Sequence, residues 1–161
     1  MDPQMRRAYA LLRNITPIQA DCGKLCARQC CKGGDDDGML LFPGEDPPEG
    51  FKVRGIEIYG YPTRFAVCAG WCRREKRPLS CRIYPFAPYL DSSGELSVIP
   101  DPRAKYVCPL LTIQALPEVD PRFVAAIKKA FETLLENEEV RAMLVAYSAM
   151  LDGYKRIVGE I

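Results

Sequence analysis

The last third of the chain carries apolar residues at helical spacing in two successive stretches. The first stripe consists of Phe123, Val124, Ile127, Phe131, Leu134 and Leu135. The second stripe consists of Val140, Leu144, Tyr147, Leu151 and Tyr154. Each stripe begins behind a helix-start signal, Asp120-Pro121 for the first and Asn137 for the second. The pattern predicts two packed helices that form an antiparallel hairpin in a C-terminal unit of residues 117–161.

The N-terminal region contains two more start signals in which a capping residue precedes proline. Asp2-Pro3 opens a helical stretch with a single apolar face. The residues on that face are Met5, Tyr9 and Leu12. Thr16-Pro17 predicts a second, short helix that would carry the first cysteines.

The middle of the chain has a loop-rich composition with short strand patterns. Residues 33–50 hold many Gly, Pro and Asp residues, interrupted by an apolar run at 39–42. Strands are predicted at 51–59, 64–69 and 95–99. The whole pattern predicts a single small α+β domain over residues 1–161. It would have helices at both termini, small irregular antiparallel strands, and a cysteine-bound metal centre in the middle.

Composition and charge narrow the class of protein. The chain has 161 residues, of which 48% are hydrophobic, enough for one domain with a core of its own. Lys and Arg total 22 against 21 for Asp and Glu, so neither nucleic acid nor an anionic membrane is an expected partner. No apolar run approaches the roughly 18 residues of a membrane span, and the N-terminus lacks a secretory pattern. These features predict a cytoplasmic protein and leave a protein partner open.

Eight cysteines and no histidine are the unusual feature of the composition. In a secreted chain, eight cysteines would predict four disulfides. The missing export signal, the sufficient core and the adjacent Cys30 and Cys31 argue against that interpretation. Clustered thiols in a reducing compartment are more often metal ligands or catalytic groups, and scattered buried thiols are the remaining alternative.

The cysteine spacing indicates a metal site. The candidate ligands are Cys22, Cys26, Cys30, Cys31, Cys68, Cys72, Cys81 and Cys108. The expected inner set is Cys26, Cys30, Cys31 and Cys81. Thiolate sulfur is a soft donor that selects zinc, copper(I) or iron–sulfur clusters. Without histidine, an all-sulfur zinc site or an iron–sulfur cluster is the natural choice.

Helix geometry limits how the first cysteines can share one ion. On a straight helix, Cys22 and Cys30 would lie on one face about 12 Å apart. Two sulfurs on one zinc lie no more than about 4.6 Å apart. Either the helix breaks, the cysteines divide between sites, or a larger multi-iron cluster spans them. Eight thiols also permit two four-coordinate centres.

Basic residues crowd the segment that joins the later cysteines. They are Arg73, Arg74, Lys76, Arg77 and Arg82. A divalent metal with four thiolates carries a charge of about −2, which such residues would compensate. A local nucleic-acid patch and a solvated loop are the competing interpretations.

The cysteine motifs resemble those of the YkgJ-type cysteine-cluster family, which is described as a zinc- or iron-chelating domain. The similarity covers about residues 16–110 and includes the element Arg77-Pro78-Leu79-Ser80-Cys81-Arg82-Ile83-Tyr84-Pro85. This sequence has three residues, rather than two, between its early cysteines. By this resemblance, the metal ligands include Cys22, Cys26, Cys30, Cys31, Cys72 and Cys81. The domain also resembles part of bacterial flagellin lysine methylases.

Three functions stay open from the sequence. The first is a metal-binding module with a structural or electron-transfer role. The second is an iron–sulfur-dependent enzyme or a part of a protein lysine methyltransferase system, although the sequence shows no glycine-rich nucleotide loop and no histidine base. The third is a metal-responsive or thiol-redox interaction protein.

Overall fold

The computed structural model describes residues 1–113 and 118–159. Its helices are α1 (Pro3–Leu11), α2 (Leu79–Ile83), α3 (Pro121–Leu134) and α4 (Glu138–Ile157). Its strands are β1 (Gly38–Leu41), β2 (Lys52–Ile58), β3 (Tyr61–Val67), β4 (Phe86–Leu90) and β5 (Leu96–Pro100). The α+β class with helices at both ends is confirmed. Positions 117, 160 and 161 of the predicted C-terminal unit lie outside the described residues.

Three of the predicted helix starts are confirmed by their capping contacts. The Asp2 carboxylate accepts hydrogen bonds from the backbone N–H groups of Gln4 and Met5. Asp120 and Asn137 cap α3 and α4 in the same way. Each cap satisfies amide groups that have no partner inside the helix. Within the described ranges, no helix combines the length and apolarity needed to cross a bilayer.

The prediction of a helix starting at Thr16-Pro17 is wrong. The Thr16 hydroxyl donates to the carbonyl of Ile18 instead of accepting from a helical amide, and residues 17–20 form bends. The Pro17 carbonyl accepts from the Asp120 N–H at 2.8 Å, which ties this segment to the start of α3. A single 3₁₀ turn, Cys22–Lys24, begins later and is capped by Asp21.

Two small antiparallel sheets form the middle of the fold. β3 lies between β1 and β2, and the two-residue turn Tyr59-Gly60 joins β2 to β3. Both turn residues have positive φ, as a tight hairpin turn requires. The second sheet pairs β4 with β5, confirming the strand predicted at 95–99. β4 was not predicted, because Pro88 interrupts its strand pattern.

The predicted apolar stripes converge on one core. Phe42 stacks edge-on against Phe131 with ring centres 5.0 Å apart, and against Tyr147 at 6.0 Å. All three rings are buried. The last residue of the α4 stripe, Tyr154, is 40% exposed and leaves the core. α3 packs most closely on α1 and the second sheet, whereas α4 packs on β4, so the predicted hairpin is not the main helix pairing.

A buried carboxylate joins the core to the helix that carries Cys81. Glu45 is 2% exposed and accepts hydrogen bonds from the backbone N–H of Phe42 at 2.9 Å and of Leu79 at 2.7 Å. The Tyr9 hydroxyl donates to the same carboxylate. The Arg82 guanidinium lies 4.5 Å from the centre of the Tyr9 ring. The start of α2 is thereby fixed to α1 and to the end of β1.

Replacing Glu45 by glutamine is expected to lower the free energy of unfolding by about 1–3 kcal/mol, because glutamine offers one acceptor oxygen and leaves a buried N–H unpaired. Urea denaturation measures this loss. Glu49→Gln is the matched control. The Glu49 side chain is 82% exposed, so its change is expected to stay within about 0.5 kcal/mol. Equal losses in the two variants would contradict the role assigned to Glu45.

Candidate metal centre

The first cysteine segment is a chain of tight turns rather than a helix. The 3₁₀ turn ends at Lys24, and Ala27 and Arg28 have φ values of 48° and 55°. Two consecutive left-handed residues stop an α-helix, because its backbone requires negative φ. Of the alternatives set by helix geometry, the first therefore holds, because no continuous helix joins Cys22 to Cys30. The breaks remove the 12 Å limit that a straight helix would impose.

The second cysteine segment lies directly against the first. Cys68 follows β3, and its N–H donates to the Asp37 carbonyl at 2.7 Å. A Cβ on Gly33 would lie 2.7 Å from the nitrogen of Gly70, so the two backbones meet at a distance that only glycine permits. The Gly70 N–H also donates to the Cys68 sulfur at 3.4 Å. This contact brings Cys68 and Cys72 beside the first cysteine segment.

Cys81 and Cys108 reach the same region from α2 and from the segment after β5. The Cys108 N–H donates to the Ala104 carbonyl at 2.8 Å. That segment is anchored by Asp101, whose carboxylate accepts from the Arg103 guanidinium at 2.6 Å. Asp101 also precedes a proline, so the signal of a capping residue before proline that found α1 and α3 marks this turn as well, although the sequence reasoning missed it.

All eight predicted cysteines line two adjoining cavities. The smaller cavity, about 50 Å³, is lined by Cys22, Cys26, Cys30, Cys81 and Cys108. The larger cavity, about 240 Å³, is lined by Cys30, Cys31, Cys68, Cys72 and Cys81. The two cavities also share Tyr84 and Val107. The structure therefore brings together thiols from four separate parts of the chain, and each of the eight is free.

The thiols line these cavities without closing on a common point. In the part of the chain that the structure describes, no three cysteine or carboxylate side chains are arranged to hold a metal ion. The Sγ atoms of Cys30 and Cys31 are 3.9 Å apart. Metal coordination would require these side chains to move inward.

Arg77 supplies positive charge beside the thiols that could hold a metal. It lines both cavities, and its Nε is buried without a hydrogen-bond partner among the described residues. Burial lowers the pKa of Arg77, but the neighbouring thiols of Cys31 and Cys72 outweigh it and raise the pKa overall. A half-buried cation that faces thiols is the group needed to balance an anionic metal–thiolate centre. The residues present therefore fit such a centre.

The other basic residues of this segment have different roles. Arg82 donates to the carbonyls of Arg77 and Glu75, and Arg74 donates to those of Leu12 and Ile15. Lys76 pairs with Glu49 at the surface. Arg73 is exposed. Of the cations that crowd the sequence, Arg77 is the one that borders both cavities and has a buried, unpaired nitrogen.

The adjacent thiols differ in their affinity for a proton. The hydrogen bond from Cys30 lowers the pKa of Cys31 to about 6, and the guanidinium groups of Arg77 and Arg28 act in the same direction. The same hydrogen bond, together with burial, raises the pKa of Cys30. The lowered pKa favours the thiolate form of Cys31, which is the form that binds soft metals.

An open groove adjoins the cysteine cavities. Its volume is about 960 Å³, and Cys22 and Cys72 form part of its wall. Arg13 and Arg74 line it together with Trp71, which is 60% exposed. The groove gives solvent access to one side of the thiol region.

Comparisons of the chain with protein-family models, with curated proteins and with solved structures found no match. The resemblance to the YkgJ-type family therefore stays a prediction that rests on the motif residues.

Proposed function

We propose that this protein binds zinc or an iron–sulfur cluster through its cysteine thiolates. The observation that carries the proposal is the gathering of all eight cysteines around two adjoining cavities. Cysteines that served only as packing residues would be expected at separate places in the core rather than around adjoining cavities. The YkgJ-type motifs of the sequence support the same proposal.

The charge of the surroundings supports the proposal independently. Four thiolates around a divalent ion leave a net charge of about −2, which is costly to bury alone. The Arg77 guanidinium lies beside Cys31, Cys72 and Cys81. Such contacts around coordinating sulfur orient the ligands and tune the affinity for metal.

The bound group would supply either a crosslink between loops or a site for electron transfer. The residues of this chain would contribute the thiolates and a compensating cation. Cys81 would connect the centre to the core through α2, whose first N–H is held by Glu45. Cys108 would connect it to the segment anchored by Asp101.

Metal analysis of protein purified without oxygen tests the proposal. We expect either zinc, or iron with inorganic sulfide, to remain bound after exhaustive buffer exchange. The matched control is the same protein with its thiols alkylated in denaturant and then refolded, which is expected to retain neither. Metal-free protein from cells supplied with zinc and iron, and unable to take up either after reduction, would overturn the proposal.

An iron–sulfur-dependent enzyme, or a part of a protein lysine methyltransferase system, is the alternative function. The open groove favours it, because the groove reaches Cys22 and Cys72 and is large enough for a small-molecule substrate. Titration calorimetry with S-adenosylmethionine separates the methyltransferase version from a metal-binding module.

A further inference from the structure

The two cavities divide the cysteines into two sets. Cys22, Cys26 and Cys108 line the smaller cavity and are absent from the lining of the larger one. Cys31, Cys68 and Cys72 line the larger cavity and are absent from the lining of the smaller one. Only Cys30 and Cys81 border both. The division therefore leaves two residues to be assigned.

Backbone contacts assign these two residues. Cys81 follows Ser80, whose hydroxyl donates to the Leu40 carbonyl of β1 at 2.6 Å, and β1 pairs with β3, which ends just before Cys68 of the larger cavity. Cys30 follows Gln29, whose N–H donates to the carbonyl of Cys26 at 3.2 Å, and Cys26 lines the smaller cavity. Each cavity thus receives four thiols.

We infer that the protein carries two four-thiolate metal centres instead of a single shared one. The first centre consists of Cys22, Cys26, Cys30 and Cys108. The second centre consists of Cys31, Cys68, Cys72 and Cys81. Each would take zinc or another soft metal that prefers sulfur. This inference rests on the proposed function, since it concerns how the same thiols are shared.

Coordination chemistry supports four ligands for each centre. A structural zinc site is closed by four donors, and each sulfur lies about 2.3 Å from the ion. Eight thiols exceed what one such ion accepts. The adjacent residues Cys30 and Cys31 would then serve different centres, with their shared peptide lying between the two cavities.

The backbone provides a separate means of closing each set. In the first centre, the left-handed turn at Ala27 and Arg28 returns the chain so that Cys30 can approach Cys22. In the second centre, the contact of Gly33 with Gly70 holds Cys68 near Cys31. Arg77 faces three members of the second centre, so that centre is the better compensated in charge.

The experiment counts zinc in two matched double variants of the full chain. Reduced protein is loaded with Zn²⁺ alone under nitrogen, passed through a mild chelating resin, and assayed for bound zinc. Cys22→Ala with Cys26→Ala removes half of the first centre. Cys68→Ala with Cys72→Ala removes half of the second. We expect two zinc ions in the unaltered chain, and one in each double variant.

The other possible outcomes distinguish the two-centre inference from the proposed metal binding. One zinc in the unaltered chain and none in either variant would indicate a single shared centre and overturn the inference, while the proposed function would stand. Two zinc ions in either double variant would also overturn it. No zinc in the unaltered chain would overturn the inference, and the additional absence of iron and inorganic sulfide from protein purified without oxygen would overturn the proposed function itself. If a double variant loses its helical circular dichroism, Cys108→Ala and Cys81→Ala test the same division with smaller changes.

Discussion

Replacing Asp101 by alanine is expected to lower the free energy of unfolding by about 3–5 kcal/mol, the usual effect of leaving a buried charge without its partner. The Asp101 side chain is 1% exposed, and its carboxylate accepts two hydrogen bonds from the Arg103 guanidinium. The same guanidinium donates to the hydroxyl of Tyr147, which is buried in α4. Alanine would leave the Arg103 cation against the core without its counter-charge.

Denaturation of the purified protein with guanidinium chloride measures this change in the free energy of unfolding. Asp36→Ala is the control, because Asp36 pairs with Arg54 at the surface and its side chain is 95% exposed. Its loss is expected to lower the free energy of unfolding by no more than about 1 kcal/mol. Adding Arg103→Met to Asp101→Ala is expected to recover part of the loss, because it removes the unpaired charge. A loss below about 1 kcal/mol in Asp101→Ala would contradict the role assigned to this ion pair.

Replacing Arg77 by methionine is expected to weaken metal binding by about 10- to 100-fold, the range found for residues that contact metal ligands. Methionine retains much of the side-chain volume but removes the cation that borders both cysteine cavities. The bound thiolates would then hold a buried negative charge without compensation. Lysine at this position is expected to give a smaller loss, because it keeps the charge but not the planar donor geometry.

Competition with a chromophoric chelator measures the affinity of the Arg77 variants for Zn²⁺. Arg73→Met is the matched control, since Arg73 lies on the same segment but is exposed, and its affinity is expected to be unchanged. Equal affinities for Arg77→Met and Arg73→Met would show that the guanidinium does not compensate the thiolates.

Local patterns predicted much of the fold because their causes are local. The apolar stripes of α3 and α4 and the caps Asp120 and Asn137 depend on neighbours within one or two turns, and they are confirmed. The helix predicted at Thr16 failed because its hydroxyl found a different local partner. The choice of α1 as the main neighbour of α3 depends on packing between distant segments, which periodicity does not encode.

The candidate site shows the same limit. The cysteine spacing identified the thiols but not which of them meet, because Cys81 and Cys108 reach the cavities only through the tertiary fold. The cluster of basic residues offered several candidates for charge compensation. Only the position of each side chain shows which candidate compensates the thiolates. Arg82 donates to backbone carbonyls, whereas Arg77 faces the thiols.

The adjacency of Cys30 and Cys31 has a consequence for how two centres would fill. Their Cα atoms are about 3.8 Å apart across one peptide. A metal that fixes Cys30 also restricts the backbone of Cys31. The chain would therefore lose less conformational entropy when a second metal binds. Linkage makes this coupling reciprocal, and either centre would strengthen the other. Under the two-centre proposal, the chain would therefore fill cooperatively, with little half-loaded protein at intermediate metal concentrations.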